Sequence, residues 1–323
     1  MQTTIGTDIN YAAALLQKGE LVAIPTETVY GLAGNALNDE AVLKIFIAKN
    51  RPQFNPLIIH VASFDQLNNF VTYIPAKAKI LADAFLPGPL TFLLNKKDII
   101  PDLVTAGSDK VAVRIPDHPL TKKLLTKINF PLAAPSANPS GYVSPTSAQH
   151  VYEGLNGKIA YILDGGECIV GLESTIISFD ETEKVIVQRV GGIALEEIEK
   201  VLGEKVIQSA QTHELPDAPG QLKSHYATHT PLLLGNVNDL INQFPDQKIA
   251  VISFKNNYIH KNIIQQYILS PSGDLEEAAK NLFKTLREAD SISTDIIIAE
   301  RLPGEGLGRA INDRLNRAQH IYK

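Results

Sequence analysis

A polar, proline-rich stretch at 209–231 divides this 323-residue chain into two parts of unequal length. It shows no hydrophobic periodicity, which is typical of a linker rather than of a helix or a strand. A chain of this length also has enough residues to build two domains. The sequence therefore predicts one domain at 1–208 and a smaller one at 232–323, joined by a linker at 209–231.

Apolar runs of strand length alternate irregularly with amphipathic stretches before the linker. The clearest helix is predicted at 39–49, where the apolar residues recur on one face and Asn38 is a typical N-cap. Because several strands follow one another closely, we expect a twisted, mixed α/β sheet with flanking helices. Further helices are predicted at 12–18, 75–85, 120–128 and 195–202, and strands at 21–24, 57–61, 90–94, 111–115, 132–134, 161–164, 174–178 and 185–189.

A simpler alternation of strands and helices follows the linker and predicts a small doubly wound α/β domain. Gly304-x-Gly306-x-Gly308 is a weak match to a dinucleotide-binding loop, and it is more typical of a tight turn before a helix. Strands are predicted at 232–234, 249–254, 263–269 and 296–299, and helices at 237–244, at 274–289 and from Arg309 onward.

The composition limits the functions that the chain can have. Its net charge of −5 and the absence of basic runs argue against a protein that mainly binds nucleic acid, so double-stranded RNA binding is the less favoured alternative. A single cysteine, Cys168, excludes an internal disulfide and a CxxC zinc site. Residues 1–10 do not resemble a signal peptide and no apolar run is long enough to span a bilayer. We therefore expect a cytoplasmic protein without membrane contact.

Cationic and hydroxyl side chains occur in short segments next to the predicted strands and helices. Lys49 and Arg51 lie two residues apart before a proline, a pattern that can clamp phosphates, although Lys49 also suits the C-terminal end of a helix. Arg114 lies inside an apolar strand, so it must pair either with a protein carboxylate or with a ligand carboxylate. Both alternatives stay open, and His60, at a strand end, is more typical of a buried core residue.

Two loops after predicted strands offer further polar groups. Residues 25–32 carry threonine and tyrosine hydroxyls and the Glu27 carboxylate, which suits either a small polar ligand or an ordinary strand-to-helix turn. Ser136 and Asn138 lie on a proline-stiffened loop, which suits either a ligand or a turn closed by the asparagine side chain. The Tyr226 ring, next to a histidine in the linker, could close over such a site as a lid.

Taken together and in this order, these segments resemble the Sua5/YciO/YrdC family over nearly the whole chain. The resemblance is strongest to its longer, Sua5-type members and implies a YrdC-like catalytic domain followed by a Rossmann-like Sua5 domain. Two residues depart from the family pattern. Asn50 stands where glycine is common, and Thr228 stands where proline often follows the His-Tyr-Ala sequence. The segments that carry the resemblance are 25–31, Lys49-x-Arg51, Ser136-x-Asn138, the linker residues Pro219-Gly220 and His225-Tyr226-Ala227, and 306–314.

The resemblance implies a nucleotidyltransferase that forms L-threonylcarbamoyladenylate and pyrophosphate from L-threonine, bicarbonate or CO2, and ATP with Mg²⁺. The product would serve threonylcarbamoyladenosine (t6A) formation at position 37 of tRNAs that read ANN codons, after transfer to a tRNA threonylcarbamoyl transferase complex. Weak contact with RNA is also compatible with it. A regulatory or ribosome-associated relative without synthase activity is the other alternative, but such relatives lose the Lys-Arg-Ser-Asn tetrad that this chain keeps.

The resemblance also assigns residues to each ligand and expects no metal ligand from the protein. The tetrad Lys49, Arg51, Ser136 and Asn138 would carry catalysis by positioning rather than as nucleophiles. L-threonine would contact Thr28, His60, Arg114, Ala134 and Ser174. ATP would contact Arg51, Asn55, Lys110, Ser136, Ser144, Arg189 and Tyr226.

Overall fold

A computed structural model describes residues 2–209 and 226–319. In these ranges the chain forms an 11-stranded sheet and a separate 4-stranded sheet, which confirms the α/β class. We call residues 2–209 the first unit and residues 232–319 the second unit.

The first unit carries the large sheet in the strand order β1-β8-β2-β3-β7-β4-β6-β5-β9-β10-β11. Its elements in chain order are β1 (Thr4–Gly6), α1 (Ile9–Gln17), β2 (Val22–Ile24), β3 (Gly31–Asn35), α2 (Asp39–Lys49), β4 (Ile58–His60), a 3-10 helix (Asp65–Asn69), α3 (Ala76–Phe85), β5 (Leu90–Asn95), α4 (Asp102–Thr105), β6 (Lys110–Arg114), α5 (Pro119–Lys127), β7 (Leu132–Ala133), α6 (Ala148–Leu155), β8 (Tyr161–Leu163), β9 (Thr175–Phe179), β10 (Val185–Arg189), α7 (Leu195–Leu202) and β11 (Ile207–Gln208).

The large sheet is mixed and is covered by helices on both faces. Strand β6 pairs parallel with β4 and antiparallel with β5, as the irregular alternation in the sequence predicted. Alternate residues of a strand point to opposite faces, so Ala23 and Ile24 of β2 join different apolar clusters. Ala23 packs in the cluster that contains residues of α2, α3 and α6, whereas Ile24 packs with residues of α1 and α5.

The second unit is a parallel sheet in the strand order β12-β15-β13-β14, as expected for a doubly wound fold. Residues Ile249 and Val251 of β13 pack with α8 on one face, and Ala250 and Ile252 pack with α9 and α10 on the other. Its elements are β12 (Leu232–Gly235), α8 (Val237–Ile241), β13 (Ile249–Ser253), β14 (Ile263–Ile268), α9 (Leu275–Ser291), β15 (Ile296–Glu300) and α10 (Gly308–Ala318).

Helices α9 and α10 also pack against the first unit. Val29, Val143, Leu172 and Tyr226 belong to the same buried apolar cluster as the inner faces of these two helices. The backbones approach closely at Gly171, where a Cβ atom would lie 2.5 Å from the Cα atom of Lys280. This contact brings α10 next to the loops at the ends of the large sheet.

The structure corrects the alternative that 25–32 is a strand-to-helix turn. After the loop the chain enters β3, which pairs antiparallel with β2. The sequence of β3, Gly-Leu-Ala-Gly-Asn, lacks the β-branched residues typical of strands. Its glycines instead allow close packing, since a Cβ atom at Gly34 would lie 3.0 Å from the Leu21 side chain. Short elements such as β1, α4, α6 and β11 also lacked a clear signal in the sequence.

The backbone conformation at residue 50 explains why asparagine can replace the glycine that is common in the family. Asn50 caps α2 with φ 52° and ψ 46°, the left-handed conformation that glycine adopts without strain and asparagine tolerates. Asn50→Ala is therefore expected to lower the free energy of unfolding by about 1 kcal/mol. Asn50→Gly should be at least as stable as the parent chain in this respect. Urea unfolding of both variants tests this, and an Asn50→Ala variant as stable as Asn50→Gly would contradict it.

Candidate active site

A cavity opens where strands and loops of the first unit end. His60 and Arg114 are paired neighbours at the ends of the parallel strands β4 and β6, and Arg189 ends β10. Most of the predicted ligand contacts thus meet at one place. The lining residues are Thr26, Val29, Gly31, Arg51, Ile58, His60, Arg114, Ala134, Pro135, Ser136, Glu173, Ser174, Arg189 and Tyr226.

Lys49 lies behind the cavity wall and holds a loop in place. Its ammonium group donates to the backbone carbonyls of Ser136 and Asn138, and its own carbonyl accepts from the Ser140 amide at 2.7 Å. Burial, and then the charge of Arg51, lower the pKa of Lys49 well below its ordinary value. In this conformation Lys49 is therefore a brace for the Ser136 loop rather than a side chain of the lining.

Asn138 has a similar position. Its amide nitrogen donates to the carbonyls of Pro139 at 2.9 Å and Tyr142 at 2.8 Å, which supports the turn alternative. Its side-chain oxygen is buried without a partner among the described residues. Of the tetrad, Arg51 and Ser136 line the cavity, while Lys49 and Asn138 shape the loop behind it.

Arg51 presents a cation to the cavity without a carboxylate partner in the described part of the chain. Its Nε and Nη2 donate to the carbonyls of Asn55 at 3.2 Å and Pro56 at 2.9 Å. Burial lowers the pKa of Arg51 to about 9, with Tyr226 opposing this effect and Arg189 adding to it. The Asn55 side-chain amide has both its oxygen and its nitrogen buried without a partner in residues 2–209 and 226–319. Buried polar groups are usually hydrogen-bonded, so this end of the cavity suits a polar, anionic ligand.

Arg114 pairs with a protein carboxylate, which is one of the two alternatives that the sequence left open. Its Nη2 pairs with Glu27 Oε1 at 2.7 Å, and both side chains are almost fully buried. The other oxygen, Oε2, accepts from the Asp117 amide at 2.9 Å, which fixes the carboxylate. The guanidinium still lines the cavity, so Glu27 orients Arg114 toward a ligand that enters beside it.

Ser174 and Arg189 form a hydrogen-bonded pair in the lining of the same cavity. The Ser174 hydroxyl lies 2.7 Å from that of Thr91, and Arg189 Nη2 donates to the Ser174 carbonyl at 2.8 Å. Burial lowers the pKa of Arg189 to about 10. The chain is tightly packed here, since a Cβ atom at Gly191 would lie 2.3 Å from the Glu173 carbonyl oxygen. These contacts leave the two side chains little freedom of position.

His60 is neutral in this setting. Burial, and then the neighbouring Arg114, lower the pKa of its imidazole to about 3, and its Nδ1 atom has no partner among the described residues. The imidazole also lines the cavity, so a ligand can contact it. The ring offers a neutral donor or acceptor rather than a charge.

The His60 imidazole should make stability depend on pH. The unfolded chain takes up this proton near pH 6.5 and the folded chain near pH 3, so folding loses stability as the pH falls through that window. Between pH 7 and pH 5 this amounts to about 2 kcal/mol for one site. His60→Gln is expected to reduce the loss of unfolding free energy over that range by this amount in urea titrations. An unchanged pH difference would contradict a neutral His60.

The sequence assigned no role to Glu173 or to Arg314, although Glu173 directly precedes Ser174 and Arg314 lies in the 306–314 segment. Glu173 lines the cavity, and its oxygens accept from the Ser144 hydroxyl at 2.7 Å and from Arg314 Nε at 3.0 Å. Burial favours the neutral acid, but Arg314 and then Arg189 outweigh it and lower the pKa of Glu173 to about 2. Ser144 is thus reached through Glu173 and lies behind the lining.

The structure does not bring Lys110 to the cavity. Lys110 begins β6 and Arg114 ends it, so at about 3.3 Å per residue the two lie at opposite ends of the strand. Lys110 is exposed and lines a different surface depression with Tyr73 and Glu183. Lys110 therefore lies apart from the other predicted ATP contacts in this structure, and the contact predicted for it stays a prediction.

Thr28 is buried beside the lining and its hydroxyl lies 2.8 Å from that of Thr26, which does line the cavity. The linker residues Pro219, Gly220 and His225 lie outside the described residues.

Within residues 2–209 and 226–319, no helix is long and apolar enough to cross a membrane. The same ranges contain no group of three or more histidine, cysteine, aspartate or glutamate residues arranged to hold a metal ion.

Comparison with known proteins gives consistent results across the whole chain. The family model Sua5_yciO_yrdC, described as "Telomere recombination", matches residues 14–191, and that described as "Threonylcarbamoyl-AMP synthase, C-terminal domain" matches residues 193–319. A threonylcarbamoyl-AMP synthase of Pyrococcus abyssi is 45% identical over 96% of this chain and 93% of the relative. One of Bacillus subtilis is 41% identical over 98% of this chain and 94% of the relative.

A solved structure agrees with these sequence relatives. The crystal structure of P. abyssi Sua5 complexed with L-threonine superposes with a TM-score of 0.90 at 41% identity, covering 98% of this chain and 96% of that one. The sequence matches span both units, and the fold agrees over the same length. The chain therefore belongs to the Sua5/YciO/YrdC family.

Proposed function

We propose that this protein is an L-threonylcarbamoyladenylate synthase, which makes the adenylate and pyrophosphate from L-threonine, bicarbonate or CO2, and ATP. The observation that carries the proposal is the convergence of Arg51, Arg114 and Arg189 on one cavity. An amino acid carboxylate and a triphosphate are the two anions of this reaction, and separated guanidinium groups suit both. The names of the full-length relatives support the same activity.

Arg114 marks the end of the cavity that suits L-threonine. Among the described residues, Glu27 accepts from Nη2 and the Gly88 carbonyl accepts from Nε, so Nη1 is the nitrogen that would bind the threonine carboxylate. His60, Ser174 and Ala134 lie around it, with Thr28 behind Thr26. The neutral imidazole and the hydroxyl can bind the amine and the threonine hydroxyl. The positive charge of Arg114 also favours the neutral amine, which is the form that reacts with CO2.

Arg51 and Arg189 mark the end that suits ATP. Ser136 lies between the two ends on the loop that Lys49 braces, and Tyr226 closes the cavity. Asn55 and Ser144 stand directly behind this wall and complete the polar surroundings. Two cations here would stabilise the charge that develops on the phosphates during transfer.

The reaction needs positioned groups rather than an enzyme nucleophile. The threonine amine adds to CO2 to give an N-carboxylate, whose oxygen then attacks the α-phosphorus of ATP while pyrophosphate leaves. Holding the two substrates in one small cavity turns this into an effectively unimolecular step. Tyr226 excludes water from the N-carboxylate, which otherwise decomposes.

Mg²⁺ would enter with ATP and supply charge neutralisation on the triphosphate. The carboxylate nearest the phosphate end, Glu173, has both oxygens engaged by Ser144 and Arg314. This agrees with a metal held by phosphate oxygens, so no protein ligand is assigned to it.

The wider setting forms part of the same proposal. The product would pass to a tRNA threonylcarbamoyl transferase complex in the cytoplasm for t6A formation at position 37 of tRNAs that read ANN codons, and weak RNA contact accompanies this transfer. The division into a catalytic domain at 1–208, a covering linker at 209–231 and a second domain at 232–323 fits the two sheets of the structure.

Pyrophosphate release from ATP tests the proposal directly. Release is expected only when L-threonine and bicarbonate are both present, with mass spectrometry identifying the threonylcarbamoyladenylate. L-Valine, which has the same shape but lacks the hydroxyl, is the matched control substrate. Pyrophosphate release that does not depend on L-threonine would refute the assignment.

A further inference from the structure

A buried ion pair connects the second unit to the wall of the cavity. Arg314 of α10 is 0% exposed, and its Nε donates to Glu173 Oε2 at 3.0 Å. The other oxygen of Glu173 accepts from Ser144 Oγ at 2.7 Å. A buried carboxylate without a partner is costly, so the position and charge of Glu173 depend on Arg314.

Arg314 also supports Tyr226. Its guanidinium carbon lies 5.5 Å from the centre of the tyrosine ring, and this ring stacks on Phe283 of α9 at 5.4 Å. Tyr226 has φ 67°, a conformation unfavourable for a bulky residue, so its surroundings must hold it there. Arg314 Nη2 is buried without a partner among the described residues, so one nitrogen of this guanidinium group takes no part in these contacts.

A second arginine of the same unit holds the same wall from another side. Arg287 of α9 donates from Nη2 to the Val143 carbonyl at 2.6 Å and from Nε to the Ser144 carbonyl at 3.4 Å. Ser144 is therefore fixed at its backbone by α9 and at its side chain by the Glu173–Arg314 pair. The phosphate end of the cavity is in this sense assembled by both units.

We propose that Arg314 is a positioning residue for ATP, which makes the second unit a structural part of the active site. Arg314 neutralises Glu173, which would otherwise repel the triphosphate, and it fixes Ser144 and Tyr226 in the wall that ATP contacts. L-Threonine binds at the other end, beside Arg114, and should not depend on it. The inference rests on the proposed function and specifies which part of the chain supports nucleotide binding.

The test compares ATP and L-threonine in Arg314→Met. Its KM for ATP in pyrophosphate release is expected to rise about tenfold or more, as for other residues that orient a binding group. The L-threonine Kd from calorimetry should change less than about twofold, because the described contacts of Arg314 are to Glu173, Asp313 and Tyr226 and not to Arg114 or His60. Binding of a non-hydrolysable ATP analogue, measured without turnover, should weaken as much as the KM rises.

Two further variants separate positioning from folding. Glu173→Gln/Arg314→Met removes both charges and should recover thermal stability while ATP binding stays weak, because the support of Tyr226 is still missing. Arg309→Ala is the matched control, since Arg309 also lies on α10 and pairs across the units, with Glu196, but in an exposed position. It should keep the parent affinity for both ligands.

The possible outcomes distinguish this inference from the proposed function. Equal losses of ATP and L-threonine affinity in Arg314→Met, or full recovery of ATP affinity in the double variant, would reduce Arg314 to a structural role. If the parent chain showed no threonine-dependent pyrophosphate release, the proposed function would fail instead. The analogue-binding experiment would then still decide whether Arg314 supports nucleotide binding.

Discussion

Arg51→Ala is expected to lower kcat/KM for ATP about a hundredfold, the effect of removing a donor that stabilises developing charge. Arg51 presents its guanidinium to the cavity and is held only by the carbonyls of Asn55 and Pro56 in the described chain. L-Threonine affinity should change little, because Arg114 lies at the other end. Pyrophosphate release and calorimetry measure the two effects separately.

Two controls accompany the Arg51 experiment. Arg51→Lys keeps the charge but loses the planar guanidinium group with its paired donors. Its kcat/KM for ATP should therefore lie between that of the parent chain and that of Arg51→Ala. Arg301→Ala makes the same chemical change at an exposed residue of the second unit, which contacts Asn316, and should leave both ligands unaffected. If Arg51→Ala lost L-threonine and ATP affinity equally, the separation of the cavity into two ends would be wrong.

Arg114→Met is expected to weaken L-threonine binding about a hundredfold, as for truncation of one partner in a buried charged contact. It should also lower the free energy of unfolding by about 3–5 kcal/mol, because Glu27 is left as a buried charge without its counterion. Calorimetry gives the first effect and urea unfolding the second. The ATP analogue should bind with nearly the parent affinity.

The double variant Glu27→Gln/Arg114→Met separates these two effects. It removes both charges, so stability should return toward the parent value while L-threonine binding stays weak. Recovery of L-threonine affinity in the double variant would mean that Arg114 serves only to satisfy Glu27. The alternatives that the sequence left open for Arg114 would then be decided in favour of the protein carboxylate alone.

Local signals in the sequence predicted the elements that position the site. Helix α2 was predicted at 39–49 with Asn38 as its cap, and the Asn38 side chain accepts from the Ala41 amide at 3.1 Å. Such caps and apolar faces depend on neighbouring residues, so one sequence contains the necessary information. β3 was missed because its strand pairing, rather than its own composition, determines its conformation.

Long-range contacts account for what the sequence could not reveal at the site. Lys49 meets its carbonyl partners 87 and 89 residues away, and Arg314 meets Glu173 across 141 residues. A charged residue in a motif looks the same whether it faces a ligand or a carbonyl of the protein. Only the folded arrangement distinguishes Lys49, which braces a loop, from Arg51, which lines the cavity.

The apolar cluster shared by the two units has a consequence for shortened chains. Val29, Val143, Leu172 and Tyr226 are covered by α9 and α10. Truncation after the large sheet would remove Tyr226 together with the second unit, expose Val29, Val143 and Leu172, and leave Glu173 without Arg314. A chain without the second unit is therefore expected to misfold and aggregate rather than to form a smaller active enzyme.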